Sequence, residues 1–82
     1  MIYYVYALKS LKRNYIYVGL TNNIERRIDQ HQSGKEQTTA PYRPFQFVLV
    51  EEYATRLDAR RREKYLKSGI GKEWLKNKVA KQ

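Results

Sequence analysis

Apolar and polar positions along the chain divide it into six segments. Residues 2–8, IYYVYAL, are aromatic or β-branched almost throughout, and residues 15–19, YIYVG, repeat that character after the polar interval KSLKRN. Two strands joined as a hairpin are predicted. Asn22, with Glu25 three positions on, has the spacing of a capping box, and Ile24 and Ile28 one turn apart predict a helix running to about Gln32 and ended by Ser33 and Gly34. Residues 34–44, GKEQTTAPYRP, contain both prolines and no period, which predicts an exposed connection. Residues 45–53 form a third strand around the continuous apolar run FVLV. Thr55, with Asp58 three on, caps a second helix to about Lys67, and SGIG breaks it before a shorter helix over residues 72–79.

The predicted order is therefore β-β-α-β-α-α, an α/β chain of the α+β type: a three-stranded antiparallel sheet flanked by helices. Without repeats, low-complexity tracts or linkers, residues 1–82 form a single domain. No stretch reaches the roughly 20 apolar residues of a membrane helix, and the first residues lack the character of a signal peptide, so a soluble cytoplasmic protein is expected.

Helical periodicity selects particular polar residues. With Ile24 at zero, Ile28 lies at about 40°, His31 at about −20° and Arg27 at about −60°, while Arg26 and Asp29 fall on the far side. Arg27 and His31 thus share the apolar face, as a snorkelling arginine and a satisfied inward histidine or as site residues. On the second helix Ala59, Leu66 and Ile70 form one stripe; Glu63 sits at its edge about 40° from Ala59, and Arg62 borders the other side. A carboxylate turned toward a core needs a partner, either an ion pair with Arg27 or a metal. Arg60, Arg61 and Lys64 point outward as a basic face. Along the strands, Tyr4, Tyr6 and Leu8 share one side, as do Tyr15, Tyr17 and Gly19, so Tyr6 and Tyr17 can converge. Gly19 is compatible with close approach of a backbone or phosphate, or with a turn or bulge.

Charge narrows the partners. Lysine and arginine number 17 against 8 acidic residues, a net charge of +9 that favours a polyanion such as nucleic acid. The absence of cysteine removes disulfides and thiolate metal sites. Eight tyrosines offer stacking surfaces as well as packing.

In this order of elements, YVY at Tyr4–Tyr6 and YVG at Tyr17–Gly19, followed by NNIERRIDQH and later LDARRREKYLK, resemble the GIY-YIG nuclease domain, and more closely its small stand-alone members. Arg27 stands at the family's catalytic arginine, His31 where members carry histidine or tyrosine, and Glu63 at the metal-binding glutamate. Tyr4 replaces the first glycine of GIY, Leu20 stands where many active nucleases carry lysine, and the late asparagine of many members has no evident counterpart.

The resemblance implies a metal-dependent endonuclease hydrolysing phosphodiester bonds, with DNA favoured over RNA. One Mg²⁺ or Mn²⁺ would be held by Glu63, Arg27 would bind the scissile phosphate, and Tyr6, Tyr17 and His31 would orient water and move protons. Gly19 would admit the substrate; separately from the resemblance, Arg60 and Arg61 on the basic outer face, and Tyr42 and Arg43 in a loop otherwise read as a plain connection, are candidate substrate contacts. The alternative is a nucleic-acid-binding module that does not cleave; a homodimer or a separate protein partner is also compatible with so small a chain.

Overall fold

The computed structural model of the protein describes residues 1–81. β1 (Tyr3–Ser10) is the central strand of a three-stranded antiparallel sheet, flanked by β2 (Ile16–Thr21) and β3 (Phe45–Tyr53) in the order β2-β1-β3. Three helices follow as expected: α1 (Ile24–Ser33), α2 (Arg56–Lys67) and α3 (Gly69–Ala80). No helix among the described residues is long and apolar enough to cross a membrane.

Strand alternation sorts the core into two layers. Val5 and Ala7 point to the side covered by Ala59 and Leu66 of α2 and Leu75 of α3. Tyr6 and Leu8 point to the other side, where they meet Phe45 and the Ile24 and Ile28 side chains of α1. A strand covered on both sides needs the unbroken apolar character of residues 4–8. β3 lies at an edge, so its apolar run is only partly covered: Val48 is buried, while Phe47 and Val50 are about half exposed at 50% and 44%.

Several boundaries differ from the sequence-based expectation. The cap of α1 is Asn23, whose side chain accepts from the Arg26 amide at 3.1 Å; Asn22 instead turns its amide to the Met1 sulfur. Thr21 Oγ1 accepts from Asn23 N at 3.0 Å and fixes the bend that shifts the cap by one residue. SGIG starts a helix rather than delaying one. Ser68 Oγ accepts from the Gly71 amide at 3.2 Å, so α3 begins at Gly69 and is as long as α2. Gly71 is needed because a Cβ there would overlap the Tyr65 carbonyl and lie 2.6 Å from Leu66 Cα. Its missing side chain brings the helices together. The helix restarts at residue 69, so the stripe of α2 does not continue to Ile70, which is 73% exposed.

Residues 34–44 are not a plain exposed connection. They contain a 3-10 turn (Ala40–Tyr42), and Thr39 just before it is completely buried. Ser10 Oγ donates to the Tyr42 carbonyl while accepting from the amides of Lys12 and Arg13, which ties this segment to the β1–β2 hairpin. Gln32 clamps α1 to β3 with two bonds to the Phe45 backbone, at 2.8 and 2.9 Å.

Candidate active site

The α1 side of the sheet gathers four of the residues singled out by the sequence. Tyr6 from β1, Tyr17 from β2 and His31 from α1 pack ring against ring: Tyr17 and His31 centroids are 4.8 Å apart, Tyr6 and His31 5.7 Å, and Tyr6 and Tyr17 6.1 Å. Gly19 pairs with Tyr6 across the strands, and a Cβ at position 19 would overlap the Tyr6 hydroxyl and approach the Tyr17 ring at 2.9 Å. The space left by this glycine is filled by Tyr6. The expectation that Gly19 opens the strand to substrate has a nearer explanation: it lets the phenol lie across the sheet.

Tyr6 and His31 are fully enclosed, and Tyr17 is partly exposed. The Tyr6 hydroxyl is 2.9 Å from His31 Nε2, and His31 Nδ1 is 2.7 Å from Thr39 Oγ1. Burial pushes the Tyr6 pKa up to about 12, against the lowering effect of the nearby Arg27. Burial also lowers the His31 pKa, and the Arg27 charge adds to that effect. At neutral pH both groups are therefore uncharged.

Arg27 carries the positive charge of this cluster. Its Nη1 donates to Gln30 Oε1 at 2.8 Å and pairs with Glu36 Oε2 at 3.3 Å. Partial burial works to lower its pKa, and the neighbouring phenols of Tyr6 and Tyr17 outweigh that and raise it. Its carboxylate partner is Glu36, not Glu63. The Thr38 backbone and Arg27 hold the Glu36 carboxyl below its usual range.

Glu63 is 6% exposed on α2, the helix covering the opposite face of the sheet. Arg60 Nη1 lies 2.6 Å from one carboxylate oxygen and Lys67 Nζ 3.1 Å from the other. Burial raises the Glu63 pKa, but these two cations prevail and lower it. Among the described residues no hydrogen bond or ion pair joins Glu63 to the Tyr6, Tyr17, Arg27 and His31 cluster, and no group of three or more potential metal ligands occurs. A lone buried carboxylate nonetheless fits one hard divalent ion that keeps most of its waters. Arg60 and Lys67 are 54% and 50% exposed, free to swing out, and together carry the same charge as such an ion.

The predicted substrate contacts scatter. Arg60 is turned to Glu63, and Arg61 is exposed beside Asp58 at 3.8 Å. Tyr42 stacks on Tyr15 at 3.9 Å with the Arg13 guanidinium 5.6 Å from its ring, and the Arg43 side chain lies against Gly34. Arg62, at the border of the apolar stripe, makes two bonds to Glu51 and lies 5.0 Å from the Trp74 ring, joining α2 to β3 and α3. Thr39 and Glu36 escape sequence reasoning because they lie in an aperiodic segment. Lys67, by contrast, is detectable as the i+4 partner of Glu63.

Comparison with known proteins identifies the family to which this fold belongs. The GIY-YIG catalytic domain model matches residues 2–77. The UPF0213 protein of Staphylococcus haemolyticus is 37% identical over 75 residues, 90% of this chain and 90% of that one. The UPF0213 protein of Clostridium perfringens is 38% identical over 65 residues, 78% of this chain and 69% of its own. The solution NMR structure of the UPF0213 protein from Bacillus halodurans superposes with a TM-score of 0.58 at 34% identity, covering 94% of this chain and 84% of that one. With the family model matching residues 2–77, the chain belongs to the GIY-YIG domain family and is similar to UPF0213 proteins.

Proposed function

We propose that the protein is a metal-dependent endonuclease that hydrolyses phosphodiester bonds of nucleic acid, with DNA favoured. The observation that carries this reading is the convergence of Tyr6, Tyr17, Arg27 and His31 from three elements onto one cluster, in which the Tyr17 phenol is partly exposed. Arg27 supplies fixed positive charge and donors to the scissile phosphate as its charge grows. Tyr6, with a pKa of about 12, keeps its proton at neutral pH. Tyr17, the more exposed of the two, is then the phenol that meets the attacking water. Neutral His31 holds Tyr6 in place. Glu63 is the residue that holds Mg²⁺ or Mn²⁺, which when bound stabilises developing negative charge and the leaving oxygen. The net charge of +9, with Arg61, Arg43 and a released Arg60, favours the phosphate backbone.

A binding module that does not cleave is the second reading, supported by the two cations that already occupy both oxygens of Glu63. The test is cleavage of labelled single-stranded, duplex and branched DNA and RNA with Mg²⁺ or Mn²⁺, comparing wild type with Glu63→Gln and Arg27→Ala. Metal-dependent cutting that both substitutions abolish, with folding and binding retained, is expected. Binding without cutting by all three proteins would overturn the nuclease reading in favour of the module.

A further inference from the structure

We propose that Thr39 is a positioning residue for the catalytic cluster: its hydroxyl takes the Nδ1–H of His31, which leaves Nε2 to accept from Tyr6 and turns the lone pairs of the Tyr6 oxygen toward Arg27 and Tyr17. The catalytic consequence rests on the nuclease reading; the hydrogen-bond order does not.

The order agrees with a count of donors and acceptors. Tyr6 is completely enclosed, so its hydroxyl proton needs an acceptor inside the protein. Arg27 beside it has only donors. His31 Nε2, at 2.9 Å, is one acceptor and the neighbouring Tyr17 hydroxyl another; with the Tyr6 proton on the histidine side, a neutral ring that accepts at Nε2 carries its proton on Nδ1. Thr39 Oγ1, at 2.7 Å, must then accept that proton, and its own hydroxyl hydrogen has the Glu36 carbonyl at 3.4 Å. The proposed order satisfies each member of the chain: Tyr6 donates to His31, His31 to Thr39, and Thr39 to the Glu36 carbonyl. Thr39 has no exposed surface, and the Glu36 carbonyl also accepts from the Thr39 and Ala40 amides, so the hydroxyl is held by a closed turn. A methyl in place of that hydroxyl would remove the acceptor for Nδ1–H and the reason for this tautomer.

The chain has a single histidine, so ring ¹⁵N resonances of histidine-labelled protein report on His31 alone. At neutral pH the wild type should show a protonated Nδ1 and a bare Nε2. Thr39→Val should lose that single tautomer and lower kcat roughly tenfold or more with KM unchanged, the scale seen when a histidine loses its orienting partner. Thr39→Ser should restore both. A wild type protonated on Nε2, or a Thr39→Val protein with the wild-type tautomer, would overturn the proposal. The wild-type spectrum decides the matter even where Thr39→Val fails to fold. Should no substrate be cut, the tautomer result still stands or falls alone, and only the nuclease reading is lost.

Discussion

Gly19→Ala tests whether the glycine of YVG serves the substrate or the phenol. A Cβ at position 19 would overlap the Tyr6 hydroxyl and ring and lie 2.9 Å from the Tyr17 ring. Tyr6 cannot simply turn aside, since it is fully enclosed and bonded to His31, which is itself bonded to Thr39. Overpacking of this kind costs about 1–3 kcal/mol, and weakening the Tyr6–His31 bond adds about 1 kcal/mol. Alanine recovers about 0.5–1 kcal/mol because glycine is unfavourable within a strand. The net expectation is a loss of about 2 kcal/mol. For 82 residues, whose stability is about 4–12 kcal/mol, that lowers Tm by roughly 10 °C.

Urea unfolding of four proteins measures it: wild type, Gly19→Ala, Tyr6→Val and the double variant. In the Tyr6→Val background the main obstruction is gone and only the partly exposed Tyr17 ring must give way, so Gly19→Ala should become neutral or stabilising by about 0.5 kcal/mol. The coupling between the two sites should then be about 2 kcal/mol. A Gly19→Ala protein as stable as wild type, or equal costs in both backgrounds, would refute the packing role and return the glycine to the substrate.

Three further outcomes are expected. Gly71→Ala forces α3 off the last turn of α2, because the added carbon meets backbone rather than a movable side chain; a loss of about 3 kcal/mol is expected by thermal unfolding, and a neutral result would show the crossing to be looser than described. His31 is buried with its pKa below the ordinary 6.5, so the unfolded chain binds the proton first and stability, complete above pH 6.5, should fall as pH drops through the window below it. Denaturant midpoints measured across that window should fall for wild type and stay flatter for His31→Gln. Glu63→Gln should change stability by no more than about 1 kcal/mol, since its two partners are half exposed, while abolishing cleavage; a larger loss in urea unfolding would make Glu63 structural first.

The fold was legible in the sequence wherever a local pattern sufficed. The run at residues 4–8 and the cap at Thr55 are written within a few neighbouring residues. Local patterns failed where geometry depends on what lies across a turn. Asn22, with Glu25 three positions on, reads as the cap until Thr21 is seen to bond Asn23, and the two glycines of SGIG read as breakers until α3 is seen to cross the end of α2. Thr39 is invisible for the same reason. Its hydroxyl matters only because His31, eight residues earlier, is pointed at it by a helix that the intervening turn folds back against.

The site was legible by face but not by side. Helical angle turned Arg27, His31 and Glu63 toward the core, and all three are half-buried or buried. Periodicity measures a residue's direction relative to its own helix and carries nothing about which face of the sheet that helix covers. That is fixed by topology. With β1 central, α1 packs against the side bearing Tyr6 and α2 against the side bearing Val5 and Ala7. An ion pair between Arg27 and Glu63, plausible from two inward-facing charges, is therefore replaced by two local ones, Arg27 with Glu36 and Glu63 with Arg60 and Lys67. Each half carries its own neutralising charges. On the proposed nuclease reading, phosphate would compete with Glu36 for Arg27, and a divalent ion would compete with Arg60 and Lys67 for Glu63. Both halves are internally paired, so on that reading substrate and metal would have to displace existing partners to engage them.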